Sequence, residues 1–268
     1  MDDDLPMIAA AGLDFEAEAA RGLGVKVVRG LNRRRFLREL HAQATRGARG
    51  IISFGVAGGL SPKLETGDVV VASAVHTAEG IFRTCEAWSA SLLAALPHAR
   101  YLPVFGAMGP VLTPLEKEAL WNETGSATVD VESRDAAEVA AHYGMPYAVV
   151  RIVLDPADRE IPLSALSGVD DAGNTCAKSL FKALAQRPQD IPGMLRIAAE
   201  GRKATQSLLR TRQALGPCFS FYGPVVQLSC TEAPQDASYS GQNGAASSYF
   251  VFIRTWLARR NVIPDGTN

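Results

Sequence analysis

The sequence predicts an α/β fold: a mixed, largely parallel central sheet with helices on both of its faces. Two observations predict it. Short apolar runs alternate along the chain with segments of helical periodicity. Several of those runs are continuous in Val, Ile and Ala, without polar alternation, which suits strands covered on both sides. In chain order the expected elements are a strand at 7–11, a helix at 14–21, a strand at 25–29, a helix at 32–45 and a strand at 51–54. Strands follow at 68–74 and 100–105, then a helix at 114–122, a strand at 126–131, a helix at 132–142 and a strand at 147–154. Helices at 175–186 and 192–214 complete the series. Pro114 and Pro192 suit helix starts, where a missing N–H costs nothing. Gly144 suits a helix stop.

Composition narrows the function classes. The 268 residues are 47% hydrophobic and 21% charged, as in a folded globular chain. A chain of this length buries roughly 70% of its unfolded surface, so it needs no disulfide or metal to fold. Lys and Arg number 27 against 28 Asp and Glu, a net charge of −1, which argues against a nucleic-acid binder working by bulk charge. No run approaches the ~20 apolar residues of a membrane span. The opening Met1-Asp2-Asp3-Asp4 is acidic where a signal peptide is basic, so a cytoplasmic protein is expected. Cys85, Cys176, Cys218 and Cys230 form no CxxC pair, and His41, His76, His98 and His142 are scattered. Neither a metal site nor a catalytic triad is indicated, and the cysteines read as thiols of a reducing compartment.

Two regions are expected: a catalytic domain at 1–216 and a low-complexity, partly disordered extension at 217–268. The stretch 235–248 is rich in Ser, Gly, Gln, Asn and Ala, and 248–260 suits one short amphipathic helix. Between Lys178 and Arg212 lie eight basic residues and two acidic ones, with Met194, Leu195, Ile197, Leu208 and Leu209 available for one apolar face. Two readings stay open. The basic side is a solvated helix face packed on the sheet, or it draws the protein to an anionic membrane surface, peripheral to the inner membrane.

Four features fall at strand ends. Glu16 follows the first strand, Gly55-Val56-Ala57-Gly58-Gly59 follows 51–54 as a loop, Glu132 follows 126–131, and Asp155 follows 147–154. Ligands of open α/β sheets bind outside the carboxyl ends of the strands. If the strands are parallel, all four features face one crevice. Singly each has a bland alternative: Glu16 and Glu132 as first-turn helix acids, Asp155 before Pro156 as a turn former, and the glycines as a tight turn.

Together, Gly55-Val56-Ala57-Gly58-Gly59-Leu60, Gly67-Asp68-Val69-Val70-Val71, Val129-Asp130-Val131-Glu132-Ser133 and Val150-Arg151-Ile152-Val153-Leu154-Asp155 resemble the nucleoside phosphorylase and nucleosidase superfamily over about residues 5–215. Within it, Ser53–Gly59, Asp155-Pro156-Ala157-Asp158 and the basic helices look most like the phosphorylase-like proteins associated with bacterial hopanoid biosynthesis. The resemblance implies a nucleoside phosphorylase-like fold and cleavage of an N-glycosidic bond through a ribosyl cation-like transition state. It assigns Asp155 as the acid that protonates the leaving purine, which requires burial or a neighbouring acid to hold its proton near neutrality. Glu16 matches the acid that activates water. Glu132, with Val131, matches the ribose grip, and Arg151 matches a family position inside a strand. Gly55 and Val56 match the loop that meets the nucleophile, and Met108 and Gly109 match the loop that lines the base. Val56 stands where many relatives carry Ser, which leaves phosphate or water open as nucleophile. Arg29 and Arg33 would supply charge to a phosphate, or they belong to a solvated face.

The implied substrate is an adenine nucleoside, adenosylhopane by the narrower resemblance, with phosphoribosylhopane or ribosylhopane as product. The alternatives are a nucleosidase of methylthioadenosine or adenosylhomocysteine, and a nucleoside-binding protein without catalysis. No cofactor is implied beyond inorganic phosphate as co-substrate. A homo-oligomer is expected by analogy.

Overall fold

The computed structural model describes residues 5–170, 173–174 and 176–221. The stretches 235–248 and 248–260 and Cys230 lie outside the described residues. The chain runs β1 (Met7–Ala11), α1 (Asp14–Ala20), β2 (Val25–Arg29), α2 (Arg33–Thr45), β3 (Gly50–Gly59), β4 (Val69–His76), β5 (Ile81–Arg83), α3 (Glu86–Ala95), β6 (Arg100–Gly106), α4 (Pro114–Thr124), β7 (Thr128–Asp130), α5 (Ser133–Tyr143) and β8 (Tyr147–Asp155). It ends with α6 (Leu163–Leu166), α7 (Ala177–Gln186), one turn of 3-10 helix and α8 (Ile191–Leu215).

The strands form one mixed sheet in the order β2-β1-β3-β7-β6-β4-β5, and β8 joins β3 to β4. Strands β3, β8, β4, β6 and β7 therefore close a ring. Pairing is parallel for β1/β2, β1/β3, β3/β8, β4/β6 and β6/β7, and antiparallel for β3/β7, β4/β5 and β4/β8. Alternate side chains feed two cores. Ile8, Ala10, Ile51, Val149 and Val153 pack under Phe36, Leu40 and Ala44 of α2 and Ala136, Val139 and Ala140 of α5. Met7, Ala9, Ile52, Phe54, Val150 and Ile152 pack under α1, α3 and α8 through Ala20, Trp88, Leu92, Ala204 and Leu208. Both faces are covered, which is why the strand sequences lack polar alternation. The core continues into the last described residues. Phe219 and Phe221 are buried, and the Trp88 indole donates to the Phe219 carbonyl.

Several expectations change. The Gly55–Gly59 segment is not a loop but the second half of β3, paired with β8 as far as Gly58. The strand expected at 126–131 shrinks to three residues. The sheet is mixed, as expected, but the condition of parallel strands set for the four features fails at β7, because β4, β6 and β7 run against β1, β3 and β8. β5 and α3 were not legible. β5 is three residues long, and α3, with its Ala, Ser, Leu and Trp, lacks the polar face that makes a helical period visible. Pro114 does open α4, behind a Thr113–Glu116 capping box, and Gly144 ends α5 at φ +62°. Among the described residues no helix is long and apolar enough to cross a membrane.

Candidate active site

The site follows from an interrupted edge of β3. On one side β3 is paired with β8 over most of its length. On the other side β1 covers it only from Gly50 to Ser53, and β7 only at Gly58 and Gly59. The gap between them exposes backbone donors that need partners. Glu16, on the first turn of α1, fills it: Oε1 accepts from Val56 N at 2.6 Å, while Oε2 accepts from Gly12 N at 2.9 Å and Leu13 N at 2.7 Å. Because β7 runs antiparallel to β3, the chain leaving it travels back along this gap and brings Glu132 to Glu16. A parallel sheet would have delivered Glu132 to the far end.

Arg151 of β8 sits at the centre, fully buried. Its Nε donates to Asp130 Oδ2 at 3.0 Å, and its Nη2 reaches Ser53 Oγ at 2.5 Å, Ser133 Oγ at 3.1 Å and Glu132 Oε2 at 3.4 Å. Asp130 also accepts from the backbone of Glu132 and Ser133 and from the Ser133 hydroxyl. Thus two carboxylates pair with one guanidinium, and a third, Glu16, adds its charge beside them. Burial raises the Glu132 pKa to about 8, opposed by Arg151 and aided by Glu16 and Asp130. Burial also raises that of Glu16, against Arg151 and its three backbone donors. The packing is tight enough to demand glycine. A Cβ on Gly12 would overlap the Glu132 carboxylate, and one on Gly55 would overlap both Glu16 and Arg151.

Asp155 ends β8 beside Gly58, and a Cβ on Gly58 would stand 3.3 Å from both the Asp155 carboxylate and Val129. Gly58 lies two residues beyond Val56, about 7 Å along the strand. That separation is comparable to the distance from a sugar to the far edge of its base. Asp155 is buried and salt-bridged to Lys117 of α4, Nζ to Oδ2 at 2.5 Å. Burial raises its pKa to about 6, with Lys117 opposing the rise.

The remaining expected residues are placed as follows. Met108 and Gly109 follow β6, and Ala107 N bonds the Asp130 carbonyl, so this loop adjoins the acid cluster; Met108 is 59% exposed. Val131 is half-buried beside Val129 and Phe105. Arg29 is held by Asp14 Oδ1 and Asn174 Oδ1, and Arg33 by Asp135 and Glu138. Sequence reasoning missed Ser53 and Ser133 as partners of Arg151, and it missed Lys117 altogether. A signal for Lys117 existed. It occupies the helical stripe of Leu120 and Trp121, where a charge is out of place unless paired. Among the described residues, no cluster of His, Cys, Asp or Glu is arranged to hold a metal.

The sequence profile of the phosphorylase superfamily matches residues 24–186. The chain belongs to this superfamily. The matched span contains Glu132, Arg151, Asp155 and Lys117, whereas Glu16 precedes it. Solved structures share the superfamily fold. An S-adenosylhomocysteine nucleosidase from Streptococcus pyogenes aligns with 15% identity and TM-score 0.55, covering 80% of this chain and 98% of that one. The futalosine hydrolase of Helicobacter pylori aligns with 16% identity and TM-score 0.54, covering 78% and 97%. The 5′-methylthioadenosine/S-adenosylhomocysteine nucleosidase of the same organism, complexed with a nucleoside analogue, aligns with 16% identity and TM-score 0.53, covering 78% and 98%. No curated protein matches the sequence.

Proposed function

We propose that this superfamily member hydrolyses the N-glycosidic bond of an adenine nucleoside. The observation that carries the reading is the Glu16 carboxylate seated on the backbone donors of Val56, Gly12 and Leu13. Those donors would otherwise suit an anion. With Glu16 on them, and with Asp130 and Glu132 also around Arg151, the pocket repels phosphate and favours a developing ribosyl cation. Arg29 and Arg33, each engaged by a carboxylate, leave no unpaired charge for phosphate at those positions. Val56 in place of Ser points the same way.

In the reaction, Glu16 takes a proton from water as the water oxygen bonds to C1′. The C1′–N9 bond breaks with its electron pair moving into the base. Asp155 gives its proton to the base nitrogen and becomes a carboxylate. Glu132 receives the ribose hydroxyls. No cofactor takes part.

For the 5′ group we propose a lipid, adenosylhopane by the sequence resemblance, giving ribosylhopane. One surface supports contact with a bilayer. Helix α7 buries none of its residues and leaves Phe181 71% exposed, and Leu195 on α8 is 69% exposed. Lys178 and Lys182 of α7, Arg187 at its end and Arg196 of α8 are exposed as well. The test is adenine release from adenosylhopane, 5′-methylthioadenosine and S-adenosylhomocysteine, with and without phosphate. Free ribosyl product and indifference to phosphate are expected. Ribose-1-phosphate-type product overturns hydrolysis. Adenine binding without release of the base overturns catalysis and leaves a nucleoside-binding protein.

A further inference from the structure

Lys117 is the least expected charge in the molecule. Its side chain is wholly buried, and its ammonium makes three bonds: to Asp155 Oδ2, to the Pro156 carbonyl at 2.8 Å and to the Arg159 carbonyl at 2.8 Å. An ammonium has three hydrogens, so this one is saturated and held in one orientation. The two carbonyls come from the turn immediately after β8 and fix the direction from which Lys117 approaches Asp155. Among the described residues Lys117 is the one side chain that hydrogen-bonds the Asp155 carboxylate, and it does so at Oδ2; the backbone N–H of Asp155 itself also supports that carboxylate.

We infer that Lys117 is a positioning residue for Asp155, binding Oδ2 so that Oδ1 is the oxygen that carries the proton to the leaving base. This rests on the proposed reaction with Asp155 as acid. The charge logic agrees with the geometry. Asp155 must be neutral before proton transfer and anionic after it. Burial favours the first state, and the Lys117 ammonium favours the second, so the proton is retained until the base needs it and then released to a side chain whose new charge is already paired. A tether with no part in the chemistry would need only the two carbonyls, and a neutral donor would serve it at less desolvation cost.

The test compares wild type, Lys117→Met, Lys117→Arg and Asp155→Asn on 5′-methylthioadenosine and on p-nitrophenyl riboside, whose leaving group departs as a stable anion. Thermal unfolding monitors the fold. Activity that requires protonated Asp155 falls above its pKa. Removing the neighbouring cation raises that pKa, so in Lys117→Met the alkaline fall in kcat/KM should move up by about 1–3 pH units. Its kcat on methylthioadenosine should drop at least tenfold, with p-nitrophenyl riboside little affected. Lys117→Arg keeps the charge but not the threefold geometry. It should keep the wild-type pH limb with a reduced kcat, and it serves as the deciding variant if the methionine variant unfolds. A folded Lys117→Met with an unmoved limb, or Lys117→Arg with an undiminished kcat, overturns the inference. Equal loss on both substrates in either variant also overturns it, by showing a general structural role. Full activity in Asp155→Asn, or a wild type that releases adenine from none of adenosylhopane, 5′-methylthioadenosine and S-adenosylhomocysteine, overturns the reading of the reaction instead.

Discussion

Two buried charge clusters hang on the same half of β3, and they are built on opposite principles. Around Arg151, one guanidinium pairs with two carboxylates and a third stands beside them. At the other end, Asp155 and Lys117 pair one to one. The acid-rich cluster suits a site where positive charge develops, and its excess of carboxylates forces a proton onto one of them, which Glu132, with a pKa near 8, is placed to hold. The balanced pair gives an acid that titrates near 6 although buried. The comparison teaches that burial alone does not define a carboxylate's role. The ratio of acids to cations around it decides how firmly it holds a proton.

Substitutions should pull the two clusters apart. The largest effect is expected for Asp155→Asn, which keeps the shape but loses the transferable proton: turnover of an adenine nucleoside should fall about 10²–10⁴-fold with the circular dichroism spectrum unchanged. A near-normal rate would remove the acid from that end. Glu16→Gln should cost about 10²-fold in hydrolysis. If the variant instead gains phosphate-dependent cleavage, the carboxylate is what bars the anion. Arg151→Met leaves three acids without their cation and should destabilise the fold by about 3–5 kcal/mol in urea unfolding. A loss below 1 kcal/mol would mean that the acids are already largely protonated.

The smallest effect concerns Glu132→Gln, and its sign follows from linkage. The folded Glu132 binds its proton up to about pH 8, whereas the unfolded one loses it near 4.5. Over that window the native state holds more protons, so wild-type stability should decline as pH rises from about 4.5 to about 8. Glu132→Gln should flatten this decline while raising KM for the nucleoside. An unchanged slope in urea midpoints against pH would place the buried proton on another acid of the cluster.

Much of the molecule was legible from local pattern. Continuous apolar runs marked β1, β3, β4 and β8, Pro114 and Gly144 marked helix ends, and the order of Glu16, Glu132 and Asp155 after strands marked the candidate site. What stayed hidden was long-range. Nothing around residue 128 announces that β7 runs antiparallel to β3, because strand direction is set by pairing between distant segments. Lys117 stands out locally only against the apolar stripe of Leu120 and Trp121, and its partner, Asp155, lies 38 residues away.

By itself the sequence determined the α/β architecture and singled out Glu16, Glu132 and Asp155 as candidates, since hydrophobic periodicity and residue type are local properties of the chain. Only the tertiary structure decided which acids share a cation, which oxygen of Asp155 is held, and that Gly55–Gly59 is strand rather than loop. Those outcomes depend on burial and on partners supplied by distant elements, and the free energy of a charge is set by what surrounds it.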